Sequence, residues 1–267
     1  MINYVDGFNL FGLNIKFYGI IMATAMALGV LVACLNSPKR NLKSDDILCL
    51  ACFVLPLAVI GARVYYFIFS LDYYTSFWQI FEVWNGGLAI YGGVIGGAIG
   101  ILIYCLIYKK NFLDIADVVV PSLILGQALG RWGNFFNQEA YGTVVTNKAY
   151  QWFPFAVYIE NEQAWHLATF FYESLWNILV FVVLLLLLRK TKIKQRGVIT
   201  GSYFILYGIG RIFIEGLRTD SLYLGPIRVS QLLSGILIIL GILLIVIPYI
   251  IRKKKKKKKD FVDLFKK

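Results

Sequence analysis

The sequence predicts an all-α polytopic membrane protein with seven transmembrane helices, and three observations lead there. Of its 267 residues, 59% are hydrophobic and only 16% charged, with a mean hydropathy of +0.69. A soluble domain of this length cannot enclose so much apolar surface, so the bilayer is its solvent. Seven stretches have the length and apolar content to cross a hydrocarbon core, at about 15–36, 47–69, 87–108, 115–135, 168–188, 198–218 and 231–251. The segments joining them alternate sharply in basic content.

That alternation sets the orientation. Lys39, Arg40 and Lys43 follow the first span, and Lys109 and Lys110 follow the third. Arg189, Lys190, Lys192, Lys194 and Arg196 follow the fifth, and Arg252, Lys253 to Lys259, Lys266 and Lys267 follow the seventh. These four segments hold 20 of the 27 basic residues, whereas 1–14, 70–86, 136–167 and 219–230 hold only Lys148 and Arg228. Positive residues stay in the cytoplasm, so the N-terminus is expected outside and the C-terminus inside. The chain then reads as a seven-span domain, 1–251, with a lysine-rich cytoplasmic tail, 252–267. The net charge of +12 is a topological signal and a means of anchoring to anionic lipid, not a nucleic-acid footprint. Residues 1–14 lack the basic start of a cleavable signal.

Span one opens on Lys16-Phe17-Tyr18-Gly19, with Tyr18 at its outer end. Span two carries Arg63, toward its outer end, in Gly61-Ala62-Arg63-Val64-Tyr65-Tyr66. Between Gly86 and Gly100, leading through span three, lie seven glycines; Gly92, Gly96 and Gly100 recur every fourth residue, a face that lets helices touch backbone to backbone. Tyr91 stands at the outer mouth of that helix, either as a phenol facing a ligand or as an interfacial aromatic anchor. No strand precedes this run and no Lys-Ser/Thr follows, so it is not a nucleotide loop.

Span four ends in the most informative segment of the chain, Arg131-Trp132-Gly133-Asn134-Phe135-Phe136-Asn137-Gln138-Glu139-Ala140-Tyr141-Gly142. An arginine, amides and a carboxylate at a membrane boundary are expensive unless they face a bundle interior or a wet cavity and bind something. Span five begins Phe171-Tyr172-Glu173-Ser174, placing an acid at the same level. Span six carries Tyr207, Arg211, Glu215 and Arg218, which fall within about 80° of one another on a continuous helix. Arg211 and Glu215 have the i, i+4 spacing of an ion pair. Arg63, Arg131, Arg211 and Arg218 cluster in the outer half. A single one of them has a rival reading as a structural salt bridge between two spans, but such pairs need no surplus of positive charge at one depth, and the four together predict an outer-face polar cavity for an anion.

Other chemistries find no support. Cys34, Cys49, Cys52 and Cys105 lie in or beside spans, and the Cys49-x-x-Cys52 pair has no second pair and no nearby histidine. They read as small buried apolar residues. His166, the only histidine, lies in an outside loop, which removes His-based metal sites. There is no Gly-x-Ser-x-Gly elbow and no His-Glu-x-x-His motif.

Gly130-Arg131-Trp132-Gly133-Asn134-Phe135-Phe136-Asn137-Gln138-Glu139-Ala140-Tyr141-Gly142 closely resembles the signature of the bacterial prolipoprotein diacylglyceryl transferases, Gly-Arg-x-Gly-Asn-Phe-x-Asn-x-Glu-x-x-Gly. All eight fixed positions are met. The resemblance extends to Tyr18-Gly19, Gly61-Ala62-Arg63, Gly86-Gly87, Phe171 to Ser174 and Tyr207 to Arg218, covering spans one to six; the lysine tail lies outside it. One departure stands out: many members carry His-Gly-Gly where this chain has Tyr91-Gly92-Gly93, which excludes a universal histidine base.

The resemblance implies a cell-membrane enzyme that moves the diacylglyceryl group of phosphatidylglycerol to the lipobox cysteine of a preprolipoprotein signal peptide. It implies thioether formation, release of glycerol 1-phosphate, and no metal or organic cofactor. Tyr91, Arg211, Glu215 and Tyr207 are the expected catalytic residues. Arg131, Asn134, Glu139, Gly142, Tyr18, Arg63 and Arg218 are expected to bind phosphatidylglycerol. Arg131 would take the phosphate, Arg211 the leaving-group or thiolate charge, and Tyr91 would relay a proton. The competing reading is a secondary transporter or channel for an anionic solute. It fits poorly, because the halves show no similarity and the arginines lie toward one face.

Overall fold

Long apolar runs with no water-facing stripe leave the backbone one way to satisfy its polar groups in lipid, which is the α-helix. The computed structural model describes residues 7–71, 76–82, 86–190, 195–219 and 221–264. It contains seven helices long and apolar enough to span a membrane. They are α1 (Phe17–Asn36), α2 (Ser44–Phe69), α3 (Ile90–Tyr108), α4 (Phe112–Phe136), α5 (Thr169–Arg189), α6 (Val198–Glu215) and α7 (Val229–Leu264). Each lies on one of the seven stretches read from the sequence. Three small antiparallel hairpins decorate them: β1 (Gly7–Leu10) with β2 (Leu13–Lys16), β3 (Ala156–Ile159) with β4 (Ala164–Leu167), and β5 (Tyr223–Leu224) with β6 (Ile227–Arg228).

Two helix ends differ from the sequence reading. α6 stops at Glu215 rather than reaching 218, because the next turn tightens: the Gly216, Leu217 and Arg218 N–H groups bond the carbonyls three residues back. At the other end, α7 does not break where the apolar run meets the lysines but continues to Leu264; lysine is a good helix former.

The chain divides into two compact units, one of residues 33–116 and the other of Met1–Val32 with Asp117–Lys267. In the first, α2 and α3 pack backbone to backbone. A Cβ on Gly61 would strike the Gly92 carbonyl, one on Gly96 the Leu57 carbonyl, and one on Gly100 the backbone of Phe53 and Val54. The four-residue glycine repeat is therefore the contact face itself. At the far end of this hairpin Asp46 ties the two helices, with Lys110 Nζ 2.9 Å away and the Tyr104 hydroxyl donating to it at 3.2 Å. All four cysteines are free, and only Cys105 is buried. Cys52 lies on the outward apolar face of α2, so burial fails as an account of it; in lipid that face is as apolar as the core.

In the second unit Val120 and Ile124 of α4, Val180, Leu184 and Leu188 of α5, and Ile199 and Tyr203 of α6 form one apolar core. Asp117, fully buried, accepts from the Gly197 and Thr200 N–H groups, both at 2.9 Å, and from the Thr200 hydroxyl at 2.8 Å. A carboxylate at a helix start satisfies orphan donors and the positive end of the dipole together, so α4 fixes where α6 begins. α6 meets α7 through small residues: a Cβ on Gly201 would strike the Gly241 carbonyl, and one on Gly208 the Ser234 carbonyl. Within the apolar window of α4, 50% is buried, against 11% in α7, so α4 is the more enclosed helix and α7 the more exposed.

Candidate active site

The site grows from the C-terminal end of α4. Its last turn holds Arg131 and Asn134, and left-handed backbone at Gln138 (φ 48°) and Ala140 (φ 58°) folds the following loop back. The Glu139 N–H bonds the Asn134 carbonyl at 3.0 Å. The Asn134 side chain thereby spans two neighbours, accepting from Arg131 Nη1 at 3.2 Å and donating to Glu139 Oε1 at 2.7 Å. Asn137 donates to the same carboxylate oxygen at 3.2 Å. Arg131, Asn134 and Glu139 are thus one relay built within nine residues of sequence.

Gly133 has no room for a side chain, since a Cβ there would lie 2.6 Å from the Tyr18 ring. Tyr18, in the first turn of α1, rests on this segment. Gly142 is equally enclosed: a Cβ would meet Leu167, Thr169 and the Leu217 carbonyl, each within 3 Å. Its N–H bonds the Leu167 carbonyl at 3.0 Å, its carbonyl takes His166 Nδ1 at 2.8 Å, and its backbone bridges to Arg218. Both glycines are requirements of close approach. His166 is buried against Tyr141 and holds the loop.

The residue that joins these parts is the acid at the start of span five, which is not among the site residues expected from the sequence. Glu173, in the first turns of α5 and 3% exposed, lies between two arginines. Its Oε1 is 2.7 Å from Arg131 Nη2, and its Oε2 accepts from Arg211 Nη1 at 2.8 Å. Arg211 Nη2 in turn pairs with Glu215 Oε2 at 2.7 Å. Two guanidiniums and two carboxylates thus alternate in a buried chain, Arg131–Glu173–Arg211–Glu215. The surplus of positive charge inferred from the sequence is not what this unit contains, because Glu173 and Glu215 offset Arg131 and Arg211. Glu173 escaped because its partners come from helices remote in sequence; an acid in an otherwise apolar span was the available signal.

The stripe expected on one helix is also divided. Tyr207, Arg211 and Glu215 share α6, whereas Arg218 lies beyond its end, where Thr143 N–H bonds the Leu217 carbonyl at 3.1 Å. The end of α6 is closed from β6 and the first turn of α7 instead. Arg228, read only as a loop cation, bonds the Glu215 carbonyl through Nη1 and donates from Nε to the Tyr223 hydroxyl at 3.0 Å. Gln231 reaches the Ile212 carbonyl at 3.1 Å. Tyr207 stacks on Tyr203 with ring centroids 5.6 Å apart. Tyr203 in turn exchanges hydrogen bonds with the Gln127 amide at 3.0 and 3.2 Å.

Arg63 and Tyr91 belong to the unit of residues 33–116. Arg63, 5% exposed, donates to five backbone carbonyls: Nε to Ile80 at 2.9 Å, Nη1 to Gly86 and Gly87 at 2.6 and 3.1 Å, and Nη2 to Gln79 and Glu82 at 2.5 and 3.2 Å. A guanidinium has five N–H donors, and here each has a carbonyl. Gly86 and Gly87 present theirs by taking φ of 81° and 68°. The arginine expected to bind phosphate holds a loop. Tyr91 sits in the first turn of α3, half-buried, with its ring 6.2 Å from that of Tyr65.

An amide-bridged arginine on a Gly-Arg-x-Gly-Asn segment, joined through one buried carboxylate to a second arginine and carried by helices of membrane-spanning length, defines a polytopic membrane protein with a buried charged cluster. The family model of prolipoprotein diacylglyceryl transferase matches residues 7–247, and the chain belongs to that family. It is 45% identical over 244 residues to phosphatidylglycerol–prolipoprotein diacylglyceryl transferase 1 of Clostridium perfringens, covering 90% of this chain and 92% of that protein. The transferase of Clostridium botulinum (strain Langeland) is 46% identical over 243 residues, with 89% and 94% covered. That of Streptococcus pneumoniae (strain JJA) is 46% identical over 237 residues, with 88% and 90% covered. Membership in this family disfavours the transporter alternative.

Proposed function

We propose that this protein transfers the diacylglyceryl group of phosphatidylglycerol to the sulfhydryl of a prolipoprotein's lipobox cysteine, the first step of lipoprotein maturation. The observation that carries the reading is the shared carboxylate: Glu173 holds Arg131 and Arg211 side by side in a buried setting. In the reaction the thiol sulfur attacks the glyceryl carbon that bears the phosphate ester. A carbon–sulfur bond forms, the carbon–oxygen bond breaks, and glycerol 1-phosphate departs with the electron pair. The thiol proton leaves with an acceptor or on the phosphate.

Each residue has a part in that scheme. Arg131, with its planar fork, takes the lipid phosphate. Arg211, oriented by Glu173 and Glu215, stabilises charge on the leaving phosphate or on the attacking thiolate. Fixed donors in a water-poor site do this best, because they need no reorganisation as charge develops. Positive charge nearby also favours the thiolate form. Asn134 and Glu139 orient the glycerol headgroup. Tyr18 and Gly142 shape the segment around it, and Arg218 and Tyr207 flank it. Tyr91 is proposed as the proton relay on the strength of its place in the sequence. For Arg63 the carbonyl cage supports a role in positioning residues 79–82 and 86–87 over direct phosphate contact. The membrane is the bacterial plasma membrane, with the N-terminus and active site facing out and the 252–267 tail in the cytoplasm. The reading calls for no metal or organic cofactor, and no nucleic acid.

The test is direct. Purified protein, phosphatidylglycerol vesicles and a lipobox peptide should give a peptide heavier by one diacylglyceryl unit. Arg131→Ala should abolish that product while the protein still inserts, and Arg131→Lys should restore little. Anion uptake into liposomes with no peptide modification would overturn the reading in favour of a transporter.

A further inference from the structure

Asn177 is the one polar residue on the inner face of α5 whose place the scheme above leaves unexplained. That face buries Thr169, Phe170, Glu173, Ser174, Asn177, Val180, Leu184 and Leu188. Its neighbours are satisfied: Ser174 Oγ donates to the Ala128 carbonyl at 2.8 Å, and Trp176 Nε1 to the Leu206 carbonyl at 3.0 Å. Asn177 is 1% exposed, and among the described residues neither its Nδ2 nor its Oδ1 has a hydrogen-bond partner. A primary amide held this way destabilises the fold relative to a leucine of similar volume. Packing gives no reason for it to be there.

One turn before it stands a second incomplete group. Glu173 Oε1 lies 2.7 Å from Arg131 Nη2, and among the described residues that ion pair is the one interaction it makes. Residues four apart on a helix are surface neighbours, which puts Asn177 one turn from Glu173 on the same buried face of α5.

We propose that Asn177 is a positioning residue that receives Glu173 when substrate draws Arg131 away; this rests on the transferase reading above. The resting site is neutralised, so a phosphate must compete with Glu173 Oε1 for the Arg131 guanidinium. The displaced oxygen stays buried and needs a donor, while Oε2 keeps Arg211. Asn177 Nδ2 is the free donor on the adjoining rung. The exchange trades one ion pair for another plus a hydrogen bond, and it leaves Arg211 in place.

The test is Asn177→Leu in lipid nanodiscs, with phosphatidylglycerol binding, thermal midpoint and transfer to a lipobox peptide all measured. The midpoint should hold or rise, because the resting amide has no bond to lose. Phosphatidylglycerol binding should weaken about tenfold, the worth of one buried hydrogen bond. That loss should shrink to under about twofold in a Glu173→Gln background, where no displaced carboxylate needs the donor. Asn177→Asp keeps the shape, removes the donor and adds a like charge, and should weaken binding at least as much as leucine. Unchanged binding in both variants overturns the proposal, as does a loss that persists fully in the Glu173→Gln background or one that tracks a falling midpoint. If wild-type protein transfers lipid while Asn177→Leu is indifferent, only this inference fails. A wild type that neither binds phosphatidylglycerol nor modifies the peptide overturns both readings.

Discussion

Arg131 Nη2 and Glu173 Oε1 lie 2.7 Å apart, and that ion pair ties the last turns of α4 to the first turns of α5. Because Glu173 also accepts from Arg211 at 2.8 Å, one carboxylate sets the spacing of two guanidiniums. The side chains concerned are 4% to 15% exposed. Breaking one partner of such a buried set leaves an uncompensated charge, which costs roughly 3–5 kcal/mol in proteins generally.

Glu173→Gln should therefore damage both stability and activity. It keeps the shape but removes the charge that orients Arg131 and Arg211. A thermal midpoint several degrees lower and transfer reduced at least tenfold are expected, by scanning calorimetry and peptide mass shift. Wild-type turnover in this variant would show that the arginines hold their geometry without it.

Arg211 and Glu215 should behave as a coupled pair. Their 2.7 Å contact within one helix means that Glu215→Gln removes support from Arg211. Most of the activity should go in Glu215→Gln, and the same change should add little in an Arg211→Ala background. Fully additive losses in that double-mutant cycle would show that the two act separately.

Arg63 offers a contrast. Its five donors all end on backbone carbonyls, so Arg63→Leu should leave those carbonyls unsatisfied and loosen the segments 79–82 and 86–87. Faster proteolysis at those two segments and a lower thermal midpoint are expected, and Arg63→Lys should rescue only in part because three donors cannot serve five acceptors. A variant that loses phosphatidylglycerol affinity with loop protection intact would return Arg63 to the phosphate.

Tyr91→Phe tests the departure from the family's histidine. It keeps the ring near Tyr65 and removes only the hydroxyl. A proton relay at this position makes the expected loss about 10²–10⁴ in rate, as for a positioned acid–base group. Tyr91→His should recover part of it with a pH optimum moved down toward the imidazole range. Full activity in Tyr91→Phe would make Tyr91 a packing residue and leave the chemistry to the arginines.

Much of the architecture was legible before any coordinates. Seven apolar stretches became seven helices because composition over about 20 residues decides whether a segment can cross lipid. The glycine repeat at 92, 96 and 100 became the α2–α3 contact face because periodicity of four maps to one side of a helix. The Arg211–Glu215 pair was equally plain, since both ends lie on one helix.

What the tertiary structure alone decided is which charge meets which. Glu173 and Arg211 are 38 residues apart, and no local pattern says that α5 turns its acid toward both α4 and α6. Arg63 looked like its fellow arginines, and only the carbonyls of residues 79–82 and 86–87 showed its donors occupied. Arg218 left its helical stripe because the turn after Glu215 tightens and the backbone there pairs with Gly142. The physical reason is common to all three. Hydropathy and helical period depend on a residue and its neighbours in sequence, whereas an ion pair or a carbonyl cage depends on where distant backbones come to rest.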